Sequence, residues 1–276
     1  MKTTFQLLML TCLITVSSFS QSLEKIKGSR NVTTQTTEIN AFNRLVIGND
    51  FKINIKQGER PSVDIHTDDN LHDVIGFSVQ DGSLSFKTNK RITSSKTMEI
   101  TVTFKDSLSS IELKQDAELT ATSTLKVDDL VLRTKESSKA FLTIEAESFK
   151  YIGAGKSKSD LIITAKTTNL DLSDNTKVDA IIHADDMVIN MLQRTHAKLE
   201  GDTNELSVKL DNYASLKAEK LTTKNCNIMV EGKADAYVNA SKNLKIEASG
   251  STEIYIFGMP KIEIKTFEDD AILRKK

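Results

Sequence analysis

The sequence has little of what usually points to a function. It contains no tryptophan, two prolines, two cysteines and four histidines among 276 residues, and aromatic residues make up 5% of it. Its charges are balanced, with 37 basic and 38 acidic residues and a formal net charge of −1. A chain without an excess of positive charge lacks the footprint of a nucleic-acid-binding protein, so we expect no nucleic-acid partner.

Residues 1–20 are typical of a secretory signal, which is removed from the mature protein. Lys2 supplies the positive charge, Phe5 to Val16 the apolar run, and Ser18-Phe-Ser20 the small residues of a cleavage site. The apolar run is too short to span a membrane. We therefore expect an exported chain, in the periplasm, at the cell surface or secreted, with no integral membrane segment after signal removal.

Removal of the signal takes Cys12 with it, so only Cys226 remains and no intramolecular disulfide is expected. Cys226 lies in a column of apolar residues, which favours a buried thiol over a reactive one. The histidines are scattered, and no close His/Cys spacing appears. A zinc site needs three or four convergent ligands, so the sequence predicts neither a metal nor a cofactor.

What the sequence does contain is a degenerate repeat from residue 108 onward, with a period near twenty. Nine recurrences at such a period are typical of a solenoid, in which each turn covers only its neighbours. The first position of each unit is interpreted as Ile111, Leu132, Gly153, Leu170, Ile189, Val208, Ile228, Ile246 and Ile264.

Two further columns of the repeat indicate strands and a corner. Eight residues after each start, from Leu119 to Ile272, every assigned position is apolar, and six residues after it, from Ala117 to Thr252, every one is small. Apolar positions at even spacing line one side of a strand, whereas a helix would need three- and four-residue steps. The predicted fold is all-β, a right-handed parallel β-solenoid of about 18–21 residues per turn.

The repeat occupies residues 108–276 in this interpretation. Residues 42–107 alternate like strands without its spacing and are predicted to be an irregular N-terminal β part, either the first turns of the solenoid or a cap on it. Residues 21–41 are polar and are predicted to be a mobile leader.

The N-terminal part carries a family resemblance. The run Phe42-x-x-Leu45-x-Ile47-Gly48 continues through Phe51-x-Ile53-x-Ile55-x-Gln57-Gly58, and Asp69-Asn-Leu71 and Val79-x-Asp81-Gly82-x-Leu84-x-Phe86 follow. This pattern resembles the head GIN domain family, labelled auto-transporter adhesins, over roughly residues 38–274. The resemblance implies an exported bacterial β-solenoid, and it brings no catalytic residues to carry over.

Two motifs could carry chemistry. Gly153-Ala-Gly-Lys-Ser157 resembles the end of a phosphate-binding loop, but Lys150 replaces a required glycine and a strand follows, so we interpret it as a corner. Asp235 and Glu253 share an offset on adjacent turns and should lie about 5 Å apart, within the range of about 5 to 9.5 Å found for acid–base pairs in glycoside hydrolysis. Their column is interpreted as alternating charges along an exposed edge, which favours a structural ladder.

The outward surface remains as a candidate binding site. Phe141 and Ile162 are placed on neighbouring turns of one outward column, followed by Tyr237 and Tyr255, with Phe257 facing the same way. Exposed aromatic residues can hold sugar rings or a partner protein, although the N-terminal segment or a second copy could also cover them.

The leading hypothesis is a non-enzymatic, adhesin-like binding or structural module of the cell envelope. The expected partners are an envelope glycan or a protein, and a second copy of the chain. The alternative is a polysaccharide-cleaving solenoid enzyme. At the last turn, Asp270 replaces a small residue and the chain continues to Arg274-Lys-Lys276. These charges are expected to keep the last strand from pairing with another molecule.

Overall fold

The structure is a computed structural model that describes residues 23–105 and 108–276. The secretory signal expected over residues 1–20 lies outside these residues. Within them the only helical element is a single 3₁₀ turn, Asp69–Leu71, and the rest is strand and turn. The strands stack as parallel coils in a β-solenoid of about nine turns, which confirms the predicted fold class.

Nine strands form the N-terminal part of the chain. They are β1 Lys25–Lys27, β2 Val32–Glu38, β3 Arg44–Ile47, β4 Lys52–Gln57, β5 Ser62–Asp68, β6 Ile75–Gln80, β7 Ser83–Thr88, β8 Arg91–Ser94 and β9 Met98–Phe104.

Thirteen strands form the repeat. They are β10 Ser110–Leu113, β11 Glu118–Ala121, β12 Leu125–Lys126, β13 Asp129–Thr134, β14 Lys139–Gly153, β15 Lys158–Leu172, β16 Lys177–Met191, β17 His196–Leu210, β18 Ser215–Val230, β19 Asp235–Ala248, β20 Glu253–Phe257, β21 Lys261–Phe267 and β22 Ile272–Lys275.

One coil shows how the sequence produces the shape. In β15 exposed and buried residues alternate strictly from Lys158 to Ala165, then two exposed residues, Lys166 and Thr167, break the alternation, and buried residues resume at Thr168. Side chains of a strand alternate between its two faces, so the break is a corner that separates two limbs. We call the stretch before this corner the first limb and the stretch after it the second limb.

A tight turn joins each second limb to the next first limb, and one residue in it has a left-handed backbone. This residue has φ between 55° and 81° in ten successive turns: Asn49, Gln115, Glu136, Gly155, Asp174, Gln193, Asn212, Gly232, Gly250 and Asp269. Glycine, asparagine and aspartate tolerate this conformation best, and they fill seven of these ten positions. The expected corner at Gly153 to Ser157 is one of these turns, since it lies between β14 and β15.

The register confirms eight of the nine repeat starts and corrects one. Leu132 pairs with Tyr151, and Tyr151 with Leu170, so the third unit begins at Tyr151, and the prediction of Gly153 is wrong. Gly153 pairs instead with Thr134. A Cβ on Gly153 would lie 2.9 Å from the Tyr151 hydroxyl oxygen and 2.7 Å from Cγ2 of Thr176. The glycine therefore makes room for a buried tyrosine.

Two columns differ from the expected ones, the first through this correction and the second through a register shift between β19 and β21. Ser159, not Leu161, stacks between Ala140 and Val178, so the column expected to be wholly apolar contains a buried hydroxyl. At the last coil Ile254 pairs with Leu273, and Ile272 instead pairs with Glu253 and is 39% exposed. The small-residue column consequently continues to Ala271, and the expected departure at Asp270 is a register error of one residue.

Cys226 lies in an interior column between Leu206 and Leu244 and is buried, as predicted. Burial raises the pKa of its thiol to about 12. A thiol with so high a pKa carries almost no thiolate at neutral pH, which makes it unreactive.

The N-terminal part supplies both regular coils and a cap. β3 and β4 pair in parallel with β10 and β11, and β7 and β9 stack on β3 and β4 in turn. β6 then lies antiparallel on β7, while β5 lies antiparallel on β9 and β2 antiparallel on β5. The segment expected to be a mobile leader therefore contains strands β1 and β2, and β2 belongs to the cap.

Candidate binding face

The outward face of the first limb holds the residues expected to bind, but in a different arrangement. Phe141 pairs with Asp160, which pairs with Asp179, and this column continues to Lys198. Ile162 lies in the next outward column, between Thr143 and Ile181. The prediction that Phe141 and Ile162 share one column is wrong, because it rested on the incorrect start at Gly153.

The two columns nevertheless bring an apolar surface together. Ile162 and Ile181 are 47% and 42% exposed, and with the half-buried Phe141 they line a groove of about 480 Å³. Ala121, Leu142, Leu161 and Ala180 complete the apolar lining. The groove extends over five coils, from Thr120 to Lys198, which corresponds to roughly 19 Å along the solenoid axis.

The polar part of this groove is rich in oxygen atoms. Thr120 and Thr143 contribute hydroxyl groups, and Asp160 and Asp179 stand one coil apart in one column. Among the described residues, no cationic group lies within 4.0 Å of either aspartate. Lys198 at the end of the groove instead pairs with Glu200 at 3.3 Å. The groove thus combines an apolar floor with two carboxylates that can accept hydrogen bonds.

The two tyrosines lie on adjacent coils, as expected. The rings of Tyr237 and Tyr255 stack with centroids 4.3 Å apart and an interplanar angle of 8°. The ammonium group of Lys276 lies 5.3 Å from the centroid of the Tyr255 ring, on which it forms a cation–π contact. Tyr255 thus contacts both Tyr237 and Lys276, which leaves less of its ring face free for a ligand. Phe257 lies at the end of β20, beside Asn239, and is half-buried.

Asp235 and Glu253 are neighbours on adjacent coils, as predicted. Burial, and then the Glu253 carboxylate, raise the pKa of Asp235. The Tyr255 hydroxyl donates a hydrogen bond to Glu253, and this bond is the main reason that the pKa of Tyr255 rises to about 12. Arg274 approaches Glu253 at 3.8 Å.

The edge column below these two acids differs from the expected alternation of charges. Glu118 is followed by Lys139, Lys158, Lys177 and His196, because Lys158 and not Asp160 occupies the third coil. Glu118 compensates Lys139 at 3.5 Å. The interpretation of this edge as a ladder of alternating charges is therefore wrong, and the edge changes from basic in the middle of the solenoid to acidic near its C-terminal end.

No group of three or more His, Cys, Asp or Glu residues that could hold a metal ion occurs in the described ranges. His183 forms an exposed pair with Asp202 at 2.9 Å, while His66 and His72 make hydrogen bonds to Thr34 and Thr33. Each of these three histidines therefore has a partner within the fold.

Sequence reasoning did not place Ile181, Asp160 and Asp179 in the groove. Ile181 and Asp179 lie at outward positions of a strand whose inward residues were assigned correctly, so the alternation itself could have identified them. Asp160 was instead assigned to the edge column through the incorrect third unit. The missing information was the coil length, which is 19 residues between Leu132 and Tyr151.

The model of one protein family matches most of the chain. Its description is "Putative auto-transporter adhesin, head GIN domain", and it matches residues 41–181 and again 152–260. None of the curated proteins matches the chain significantly. Residues 23–105 and 108–276 contain no helix that is both long and apolar enough to cross a membrane.

Solved structures share the fold at low sequence identity. A "putative adhesin" from Parabacteroides merdae has a TM-score of 0.64 at 18% identity, covering 92% of this chain and 99% of that one. A second "putative adhesin", from Parabacteroides distasonis, has a TM-score of 0.65 at 17% identity, covering 91% and 100%. A "putative lipid binding protein" from Parabacteroides distasonis has a TM-score of 0.62 at 16% identity, covering 92% and 100%.

Proposed function

Because the chain belongs to the family described as putative auto-transporter adhesin, head GIN domain, we propose that it is an exported, non-catalytic binding module of the cell envelope. The outward face of the first limb is the binding surface in this proposal, and a neutral glycan is its ligand. The observation that carries the proposal is the groove around Phe141, Ile162 and Ile181, with Asp160 and Asp179 at its side.

The chemistry of the groove fits a sugar chain better than other ligands. A sugar ring has apolar C–H faces that pack against aromatic and aliphatic side chains, and hydroxyl groups that donate hydrogen bonds to carboxylates. The groove is lined by three carboxylates and one ammonium group, that of Lys198, so it would repel an anionic polymer, and the proposed glycan is uncharged. An extended chain can lie along the solenoid axis, since the groove continues from coil to coil.

The test is a glycan array followed by calorimetric titration of the best neutral ligand. Phe141→Ala and Ile181→Ser should each weaken binding at least about tenfold, because a few buried aromatic and aliphatic contacts carry most of a binding energy. Val188→Ser is the matched control. Val188 lies on the same strand as Ile181 and is similarly exposed, at 38%, but it faces outward from the second limb.

Three results would refute this assignment. The first is equal weakening by Val188→Ser, and the second is an affinity unaffected by Phe141→Ala. The third is binding of fatty acids or of phospholipid vesicles with no binding of any glycan. That last result would show that the groove takes a lipid, the ligand class named for one of the structural neighbours.

An enzyme is the second candidate, and one observation favours it. The raised pKa of Asp235 beside Glu253 is a property that glycosidase acids share. A depolymerisation assay on the polysaccharides that bind distinguishes the two functions. Release of reducing ends that disappears in Asp235→Asn would establish catalysis at this pair. Binding without product release supports the non-catalytic module.

A further inference from the structure

The coil formed by β21 and β22 exposes side chains from columns that are buried in the preceding coils. Ile262 and Ile264 stack on Leu244 and Ile246, which are fully buried, yet they remain 40% and 51% exposed. Phe267 is also 40% exposed. Within the described chain no later strand pairs with the outer edge of β21 or β22. These edges therefore present apolar side chains together with unpaired N–H and C=O groups.

The same coil carries opposite charges at its two ends. We call Glu268, Asp269 and Asp270, between β21 and β22, the acidic pole. Lys261, Lys275 and Lys276 form the basic pole, because β22 runs back to the corner from which β21 starts. The Lys276 amide donates a hydrogen bond to the Ile256 carbonyl at 2.9 Å, and Nζ of Lys275 donates one to the Gly258 carbonyl. These two bonds hold the end of β22 at this corner.

We propose that this coil docks a second copy of the chain, end to end, about a two-fold axis that passes through the middle of both limbs. The axis makes β21 of the two copies antiparallel, which brings their exposed apolar side chains together. It also exchanges the ends of the coil, so that each acidic pole faces the basic pole of the second copy. If pairing is centred on Ile264, the middle residue of β21, Glu263 of each copy lies opposite Lys265 of the other.

A second copy is the occupant that these features select. A contact about a two-fold axis requires a surface that is complementary to itself. Here the three acids of each copy lie opposite the three lysines of the other, so the same charge pairing occurs at both ends of the contact. Head-to-tail stacking would need a free parallel edge at the start of the solenoid. That start is covered, because β6 lies antiparallel on β7 and β5 antiparallel on β9. Association therefore stops at a closed dimer.

Charge reversal tests the proposal by sedimentation equilibrium at low ionic strength, where the parent should be a dimer. Glu268→Lys combined with Asp270→Lys makes both poles basic, and Lys275→Glu combined with Lys276→Glu makes the basic pole predominantly acidic. Asp269 is retained because its carboxylate accepts a hydrogen bond from the Gly250 amide at 2.9 Å. Each double variant alone should dimerise roughly tenfold more weakly or worse, and an equimolar mixture should form a heterodimer.

The apolar part has its own matched pair of variants. Ile264→Asp should abolish dimerisation, whereas Ile162→Asp, which changes a similarly exposed isoleucine on another face, should not. A parent that stays monomeric at its solubility limit overturns the proposal, as does a mixture that fails to associate. Stronger association of the Glu268→Lys, Asp270→Lys variant would also overturn it, since the charges would then keep copies apart.

Discussion

The buried hydroxyl of Tyr151 offers a quantitative test of the interior. Tyr151 is fully buried, and its hydroxyl lies 2.7 Å from Oγ1 of Thr134 and 2.9 Å from Oγ of Ser159. Thr134 also donates to Ser157 at 2.9 Å, so a chain of hydroxyl groups crosses the interior between coils. Tyr151→Phe removes one oxygen from this chain and leaves the ring in place.

The expected cost follows from the groups left behind. Ser159 loses its hydroxyl partner in a site where it is 2% exposed, whereas Thr134 keeps Ser157. One buried polar group without a partner costs about 1–3 kcal/mol, so the free energy of unfolding should fall by about 1–2 kcal/mol. Ser159→Ala should cost less, since the Tyr151 hydroxyl retains Thr134.

The decisive variant combines both changes. With neither hydroxyl present no polar group remains unpaired, so the double variant should recover about 1 kcal/mol relative to the sum of the single ones. Equilibrium unfolding in urea, followed by circular dichroism and by tyrosine fluorescence, measures the difference. Tyr213→Phe is the control, because Tyr213 is 53% exposed. Additive single effects would show that Ser159 finds another partner and would refute the reasoning.

Two pH dependences follow from the interior as well. The pKa of Cys226 is raised to about 12, so the folded state keeps a proton that the unfolded thiol loses near pH 8.5. The stability that this thiol contributes is therefore complete below pH 8.5 and is lost as the pH rises towards 12. Cys226→Ala should flatten the decline of the urea midpoint above about pH 9. Burial raises the pKa of Glu112, but hydrogen bonds from Lys135, Arg44 and Lys114 outweigh it and lower that pKa to about 2. This stability is therefore complete above about pH 4.3 and lost as the pH falls to 2, so the urea midpoint of Glu112→Gln should depend less on pH in that interval.

The fold could be predicted because its interior repeats one physical requirement in every coil. Inward residues at positions such as Leu170, Ile189 and Val208 must be apolar, since each is covered only by the coils above and below. The N-terminal cap could not be predicted in the same way. β2 and β5 pair antiparallel across residues 32–68 and carry exposed polar residues on one side, so no column repeats there.

The tight turns show a second kind of information that was present but not recognised. The left-handed position recurs four residues after each of the first eight corrected starts, from Gln115 to Gly250. In several coils its side chain accepts a hydrogen bond from the equivalent residue one coil earlier: Asp174 does so from the Gly155 amide at 2.8 Å. Because glutamine and glutamate occupy some of these positions, residue type alone did not reveal the column.

The candidate site was harder to predict than the core because the two depend differently on register. A strand repeats its orientation every two residues, so the error of two at Gly153 kept inward residues inward. The same error placed Phe141 beside Ile162, whereas the actual register separates these two residues and brings Asp160 beside Phe141. At Ile272 the error was one residue, and inside and outside were exchanged. A core thus tolerates an even register error, whereas a binding surface built across coils requires the length of each coil.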